Sequence, residues 1–482
     1  MSLKGKSIIK SDNTYIGGIA AAGNVSAGDM ILWHLLLLPP LICTCGAGIF
    51  WISIGMFAFH TFGWLLLSDR LKIFADLSGA ARRTLPDYFR ARYDSRRLRA
   101  FYSVILFAIF SVIIALLFDY IMDMTDSILP SYLRIYAAVA VGALIIAASF
   151  MKRQASSLLQ NILLFLITLL IIFMCIYMFI KYTPGEVLKL YNKCRLEGGT
   201  SNYLNVLYIE GRQLSWTEIL SMIGIGCGIA GLPYLYTNAA SLKTNKDIDK
   251  ARIQGIINSG ILIVALYVMC LLTYPAIYPE KPADDIMFYA IIGKMAEGYI
   301  GSGFAADIIK YAAFVLILSV SMLLAAGLFR QMLIIIKTHI PKSDKKKNKN
   351  KFRFIFDIFI IICVLAVEIL IICASDNISG LFKIAWGVLQ SAVAAPFILS
   401  VLRYKTTEAG AFAGGISGLV SFFIWYFLPV SGNDALADIT GIGAGFVGFA
   451  ASFIICVIVS IFTRCANERI MKILEKVRLE RQ

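Results

Sequence analysis

An acidic residue in the middle of an apolar run is the first candidate for chemistry in this sequence. Asp29 lies within Ala22–Pro40, a stretch long enough to enter a bilayer, and Gly23 and Gly28 precede it. A carboxylate at membrane depth costs about 2.5–3.5 kcal/mol on insertion scales, so it is retained where it faces a cavity, a partner or a cation. The glycines allow a helix to open there and present bare carbonyl oxygens to an ion. The run predicts an ion or substrate site, and a simple pairing of Asp29 with a neighbouring helix is the alternative.

A second unusual stretch, Ser221–Tyr236, concentrates helix-breaking residues within ten positions: Gly224, Gly226, Gly228, Gly231 and Pro233. Each glycine costs a helix about 1 kcal/mol relative to alanine. This density favours a discontinuous helix, and close packing of helices through small residues is the alternative. Two interrupted helices in corresponding positions of two halves are the sequence pattern that points to a transport site at the membrane midplane.

The composition indicates how these stretches are positioned. Hydrophobic residues make up 59% of the 482 residues, and the mean hydropathy is +0.78. Both values lie outside the range of soluble proteins, where about 45–50% of residues are apolar. Because a span needs about 20 apolar residues, we expect an all-α polytopic protein with twelve spans: about 15–38, 41–67, 100–122, 132–151, 157–180, 216–240, 254–277, 304–336, 354–374, 379–402, 407–429 and 437–463. Pro39 and Pro40 are expected to close the first.

The net charge of +15 is explained by basic residues in the loops on one side of the membrane. With a cytoplasmic N-terminus, the basic clusters fall in cytoplasmic loops, such as the Arg-rich stretch between the second and third spans. This is the distribution that the positive-inside rule expects. The external segment 181–215 also carries basic residues, but it is long enough to translocate regardless of its charge. We therefore expect a multi-pass protein of the plasma membrane with cytoplasmic N- and C-termini, in contact with the lipid bilayer and not with nucleic acid.

Motifs of catalysis and metal binding are absent from the sequence. The ten cysteines are scattered, mostly through apolar segments, and Cys43-x-Cys45 lacks the partner spacing of a zinc site. There is no phosphate-binding Gly-x4-Gly-Lys-Ser/Thr run, no His-Glu-x-x-His and no hydrolase elbow. An ATP-driven pump or an enzyme is not expected, and neither is a bound cofactor.

The interrupted spans stand first and sixth, which fits two five-helix halves of inverted topology. We expect one membrane domain over residues 1–482, with a first repeat at about 15–180 and a second at about 216–402. Two peripheral helices at about 407–463 and a cytoplasmic tail at 464–482 follow. The helical charge spacing of the tail predicts that it lies along the membrane surface.

Three motifs together resemble a known family. They are Asp29-Met30-x-x-Trp33 followed by Leu38-Pro39, the run Thr84–Phe89 with its Arg-rich continuation, and the glycine run Gly224–Pro233 followed by Lys250-Ala251-Arg252. The chain resembles the sodium/solute symporter family, and within it the sodium/proline symporters. The resemblance implies the LeuT-type fold of two inverted five-helix repeats, with discontinuous first and sixth helices, and alternating access to a central site.

The resemblance also implies where the sites lie. The cation site takes the carbonyls of the broken first span, the carboxylate within it and a pair of positions on the eighth span: Ala27, Asp29, Met30, Val320, Leu323 and Leu324. The substrate pocket maps to Ile31, Leu32, Trp33, Ile225, Gly228, Ile229 and Leu232. The family offers hydroxyls where this chain has Leu323 and Leu324, and leucine cannot ligate a hard cation. Ser319 and Ser321 are the nearest hydroxyls in sequence.

Two functions follow from these observations. The first is a secondary active transporter of a small organic solute, an amino acid or similar, coupled to Na+ or H+. Glu368, inside the ninth span, is a candidate proton carrier. The alternative is a symporter-derived sensor or scaffold that does not transport and instead binds a partner protein.

Overall fold

The computed structural model describes residues 30–78, 84–181, 183–196, 202–277, 288–301, 303–339, 349–374, 377–403, 405–431, 434–463 and 468–479. These residues are mostly helical. The strands among them form two short antiparallel hairpins, in which Tyr208–Ile209 pairs with Arg212–Gln213 and Pro429–Ser431 pairs with Asp434–Ala435. Both hairpins lie in loops, so the fold is built from helices alone.

The predicted spans all have counterparts among the described residues. Ten helices are long and apolar enough to cross a bilayer, a bent pair makes an eleventh, and the described part of the first span is the shorter apolar helix Leu32–Cys45. In chain order they are Met30–Leu37 with Leu38–Cys45, Ala47–Ser78, Arg96–Asp126, Ser131–Ser149, Arg153–Lys181, Trp216–Gly231 with Pro233–Ala239, Asn245–Ile277, Phe304–His339, Lys349–Ala374, Ile378–Leu402, Glu408–Phe427 and Ala444–Phe462. They are called the first to twelfth spans below.

The prediction that Pro39 and Pro40 close the first span is wrong. Both prolines lie in the first turn of Leu38–Cys45, which follows the π-helical segment Met30–Leu37. In a first turn, the missing N–H of proline has no helical partner to lose. The span ends instead at Gly46, whose φ of 85° suits glycine and whose Cα lies against the Tyr203 carbonyl.

The second span is also displaced from its predicted range of 41–67. It begins at Ala47, because the apolar residues before it belong to the first span, and it continues to Ser78. The added segment, Ser68–Ser78, alternates charged and apolar residues, so hydropathy alone does not detect it. The second span therefore reaches well beyond the apolar layer.

Helices also occupy the loops. The long segment between the fifth and sixth spans contains Pro184–Leu196, and the segment between the seventh and eighth contains Phe288–Ile300. Each has 13 residues, too few to register as a span. Phe288–Ile300 packs against the seventh and eighth spans, with Phe288 and Met295 fully buried.

The outer surface of the helix bundle is apolar. The fourth span is the clearest case, because only 11% of its most apolar window is buried inside the protein. Ile135 and Val139 on this span are 75% and 69% exposed. A contiguous apolar surface of this kind requires a lipid environment, so the protein is a multi-pass membrane protein.

A short helix, Leu85–Tyr93, connects the second and third spans and carries the Thr84–Phe89 motif. Thr84 caps the helix and donates its hydroxyl to the Asp87 carboxylate at 2.8 Å. The other carboxylate oxygen of Asp87 forms an ion pair with Arg99 of the third span, also at 2.8 Å. Both charged side chains are at least nine-tenths buried, so the pair anchors the short helix to the third span.

The same helix is attached to the end of the tenth span. Arg92 is fully buried and donates to the Ser400 carbonyl at 3.0 Å and to the Thr406 hydroxyl at 3.1 Å. Tyr88 shares a hydrogen bond with the Ser400 hydroxyl, and burial raises the pKa of Tyr88 to about 12. The motif is therefore a structural element that joins the second, third and tenth spans on one side of the bundle.

The described part of the tail is held by protein contacts, which the sequence did not predict. This part is the helix Glu468–Leu479, which packs against Ser68–Ser78 of the second span. Ile470, Leu474 and Val477 are spaced for one helix face, and all three are more than 90% buried. The apolar face that could have entered lipid is covered by protein instead.

Candidate functional site

The described part of the first span begins at Met30, so Ala27 and Asp29 lie outside the described residues. Met30 and Ile31 are described in their backbone only, as the start of the π-helical segment Met30–Leu37. Leu32 and Trp33 follow and are buried. π-Helical turns are rare and are found mostly at functional sites, so the first span is distorted directly after the acidic position.

The sixth span is broken. Its α-helix changes to a 3-10 turn at Ile225–Cys227, resumes for Gly228–Gly231 and stops at Leu232, which is extended with ψ 143°. Pro233 then starts a new helix, and the two parts of the span form an angle of 44°. The prediction of a discontinuous sixth helix is confirmed.

The glycines of this span also serve the packing role that was the alternative. A Cβ atom on Gly226 would lie 2.2 Å from the Gly55 carbonyl oxygen, and one on Gly55 would lie 2.1 Å from the Ile223 carbonyl oxygen. The second and sixth spans therefore cross with backbone against backbone. Both interpretations of the glycine run hold, because the span is broken and is packed too closely for side chains.

The tenth span binds the carbonyl groups at this break. The Trp386 indole N–H donates to the Ile225 carbonyl at 3.0 Å, and the Gln390 amide donates to the Gly224 carbonyl at 2.6 Å. Trp386 occupies the space beside Gly228, where a Cβ atom would lie 2.7 Å from the indole ring. The opened backbone of the sixth span is thus held by two side chains from the second half of the chain.

Three aromatic rings connect the first span to this group. The Trp33 ring centroid lies 5.3 Å from that of Trp386 in an edge-to-face arrangement and 5.8 Å from that of Phe382. The indole N–H of Trp33 is buried and has no hydrogen-bond partner among the described residues. A buried donor without an acceptor is costly, so Trp33 is suited to donate to an acceptor on a bound solute.

The remaining predicted pocket residues lie nearby. Ile229 and Leu232 are buried and line a small cavity of about 10 Å³ between the second and sixth spans, with His60, Trp64 and Tyr234 on its walls. That volume is about enough for one water molecule. The structure thus brings Trp33, Ile225 and Gly228 together around Trp386, and it places Ile229 and Leu232 on the far side of the broken span.

The predicted eighth-span positions Val320, Leu323 and Leu324 are all buried, and their span contacts the π-helical segment of the first span. Their side chains provide no oxygen. Ser319 donates to the Val315 carbonyl of its own helix at 2.7 Å. The Ser321 hydroxyl is fully buried and has no partner among the described residues.

Glu368 does not join this group. It lies on the ninth span, 5% exposed, with the Ser111 hydroxyl of the third span facing it. Among the described residues, no group of three or more His, Cys, Asp or Glu side chains is arranged to hold a metal ion.

Trp386 and Gln390 were not predicted as site residues from the sequence. They lie four residues apart in an apolar helix, and therefore on one face. A tryptophan and an amide at that spacing inside a span are a usable signal, because buried polar groups need partners.

Replacing Trp386 by phenylalanine tests the attachment of the tenth span. The variant leaves the Ile225 carbonyl without its donor, so we expect a loss of about 1–3 kcal/mol of stability and a loss of solute uptake. The control is Trp425→Phe, because the Trp425 indole also donates to a carbonyl, that of Ile442, at 2.9 Å but away from the site. Both variants lose one indole-to-carbonyl hydrogen bond, so thermal melts should fall in both, and uptake should be lost in Trp386→Phe alone. Equal uptake in both would contradict a role for Trp386 at the site.

Comparisons with known proteins agree with this architecture. A model of the sodium:solute symporter family matches residues 12–418. A sodium/proline symporter of Staphylococcus aureus is 23% identical over 481 residues, covering 96% of this chain and 89% of that protein. The corresponding protein of Staphylococcus aureus strain Newman is 22% identical over 478 residues, covering 96% and 88%.

Among solved structures, a substrate-bound, outward-open Na+-coupled sialic acid symporter superposes with a TM-score of 0.68 at 12% identity, covering 93% of this chain and 90% of that one. At this identity the likeness concerns the fold alone, and it confirms the predicted LeuT-type arrangement of two inverted five-helix repeats. The family match extends over most of the chain, so the chain belongs to the sodium:solute symporter family.

Proposed function

We propose that the chain is a secondary active transporter that moves a small organic solute by alternating access. The observation that carries this proposal is the meeting of two distorted spans, the π-helical first and the broken sixth, around Trp386 of the tenth. Opened helices at the midplane expose backbone groups that bind a solute and its coupling ion. The family match supports the same function.

The lining of the site limits the chemistry of the solute. The rings of Trp33, Phe382 and Trp386 form its apolar part, and the carbonyls of Gly224 and Ile225 already accept hydrogen bonds. The free donor is the Trp33 indole. These groups favour a solute with an apolar body and one hydrogen-bond acceptor, such as an amino acid or a related acid; two relatives are named for proline.

Sodium is the coupling ion that the family and the relatives' names suggest. The proposed site comprises the Asp29 carboxylate, the carbonyls of Ala27 and Met30, and the Ser321 hydroxyl. Oxygen is the ligand that hard cations prefer. Ser321 takes the role for which Leu323 and Leu324 are unsuited.

A sensor or scaffold that has lost transport is the alternative that these two leucines motivate. It gains no support from the comparisons, since the matched proteins that are named are symporters. A buried hydroxyl on the eighth span also weakens the argument that the cation site is lost.

We also propose the organisation and the orientation of the chain. A first repeat at about 15–180 and a second at about 216–402 form the transport unit, and the helices at about 407–463 lie outside it. With the N-terminus in the cytoplasm, an even number of spans places the tail at 464–482 in the cytoplasm as well. The concentration of basic loops on that side of a plasma membrane supports this orientation.

Thermal unfolding in sodium is the experiment that tests the proposed cation site. The purified protein is melted in increasing NaCl, with choline chloride at equal ionic strength as control. An ion that binds only the folded state stabilises it by about 2.7 kcal/mol at a hundred times its dissociation constant. We expect a sodium-specific rise in the wild type and none in Asp29→Asn, with a reduced rise in Ser321→Ala.

A positive result is then extended to uptake of amino acids and related acids into liposomes under a sodium gradient. A melting temperature that changes equally with NaCl and with choline chloride would contradict the cation site. Uptake that is equal in the wild type and in Asp29→Asn would contradict the assigned position.

A further inference from the structure

The ninth span places one carboxyl group inside the bundle. Between Asp357 and Ala374 its only charged side chain is Glu368. The neighbouring Ile369 and Leu370 are 60% and 66% exposed, as expected of a lipid-facing surface, whereas Glu368 is 5% exposed. The face that carries Glu368 packs against the third and eighth spans.

The surroundings of this carboxyl are unusual for a charged group. Neither of its oxygens has a hydrogen-bond partner among the described residues. The Ser111 hydroxyl of the third span faces it, is 1% exposed and likewise has no partner within the described part of the chain. Two polar groups therefore face each other in an apolar interface, and each has unused hydrogen-bonding capacity.

Within the described ranges, no charged group neutralises Glu368. On the third span the nearest acid to Ser111 is Asp119, eight residues further along, or about 12 Å at the rise of an α-helix. On the eighth span, Asp307 and Lys310 lie in the first two turns, Arg330 donates to the Ser149 and Met151 carbonyls, and Lys337 forms an ion pair with Asp357 at the start of the ninth span. Ser111 is the one polar group that acts on the carboxyl.

An ionised carboxylate in such a place is far less stable than a neutral one, because burial without a partner charge costs several kcal/mol. A sodium ion does not resolve this, since a hard cation needs several oxygen ligands and, within the described part of the chain, the Ser111 hydroxyl is the one side-chain oxygen that acts on the carboxyl. A proton does resolve it, because the neutral carboxyl can donate to the Ser111 oxygen.

We propose that Glu368 and Ser111 form a proton-binding site between the third and ninth spans, with the proton held on the Glu368 carboxyl at neutral pH. The third span also packs against Ile378–Val388, the part of the tenth span that carries Trp386. The third span therefore contacts both the proton site and the helix that carries the proposed solute site. Its use as a coupling site, with the proton taken from water on one side of the membrane and released on the other, rests on the proposed transport function.

Infrared difference spectroscopy decides the protonation state without any solute. The spectrum of Glu368→Gln is subtracted from that of the wild type, both in liposomes at neutral pH. We expect the wild type to show the carbonyl stretch of a protonated carboxylic acid that the variant has lost. A lost carboxylate band in its place would overturn the proposal.

Two further variants complete this experiment. Ser111→Ala should keep the acid band and shift its frequency, because the carboxyl loses its hydrogen-bond acceptor; an unshifted band would remove Ser111 from the site. Asp307→Asn is the matched control, since Asp307 is exposed at the end of a span and should lose a carboxylate band. Ser111→Ala also provides an answer if Glu368→Gln does not fold.

Transport is tested separately, so that the two proposals can fail independently. Under an inward proton gradient, the wild type should concentrate a solute that binds, and Glu368→Gln should bind it without concentrating it. Equal concentration by both proteins would overturn coupling through Glu368. If the acid band is observed but the protein transports no solute, the proton site is supported and the proposed transport function is contradicted.

Discussion

Replacing Gly226 by alanine is expected to leave little folded protein in detergent extracts. The added methyl carbon would lie 2.2 Å from the Gly55 carbonyl oxygen. The obstacle is backbone of the second span, so no side chain can rotate away and the two spans must separate. Overpacking a close-packed core costs about 1–3 kcal/mol, and more where the backbone has to move. Size-exclusion profiles and melting temperatures measure the effect.

Gly142→Ala is the control for this prediction. Gly142 lies on the fourth span, and nothing lies within 4 Å of the position that a Cβ atom would take there. Alanine is favoured over glycine in a helix by about 0.5–1 kcal/mol, so this variant should melt at or slightly above the wild-type temperature. If Gly226→Ala has the same melting temperature as Gly142→Ala, the second and sixth spans do not cross as closely as described.

Neutralising Asp87 is expected to have the second large effect. Asp87→Asn removes the partner charge of Arg99, and the ion pair lies in an interface that excludes water. Removing one member of a buried pair costs about 3–5 kcal/mol, because the other charge stays buried. The short helix Leu85–Tyr93 should then detach from the third span. Melting temperature and protease cleavage in the adjoining loop would report this.

The matched change is Asp94→Asn at the end of the same helix. Asp94 is exposed and has a φ of 52°, a conformation that asparagine adopts readily. We expect its effect on stability to stay within about 0.5 kcal/mol, as for surface substitutions in general. Equal protease resistance in the Asp87 and Asp94 variants would show that the ion pair does not hold the helix.

Much of the fold was predictable, because spans and loops differ in composition along the whole chain. The apolar stretches were sufficient for locating the membrane-spanning helices that the structure describes. The break at Leu232 was predictable because glycine and proline act on the local backbone. The boundary between the first and second spans was not predictable. The effect of Pro39 and Pro40 depends on whether these prolines begin a helical segment or lie within one.

The site was less predictable, because its contacts join residues far apart in the chain. Trp386 reaches the carbonyl of Ile225 across 161 residues of sequence. No local pattern in the glycine run indicates which side chain will satisfy its carbonyls. The same limit applies to Ser111 and Glu368, which are ordinary residues singly and become a candidate site only when the third and ninth spans pack together.

The tail helix offers a way to observe the working cycle from outside the membrane. Its face of Ile470, Leu474 and Val477 is seated on Ser68–Ser78, which continues directly from the second span. Any tilt of that span during transport will therefore be passed to the tail. A spin label at exposed Lys476, paired with one at Asp94, would convert the tilt into a change of distance. The motion could then be followed without altering a single residue inside the bilayer.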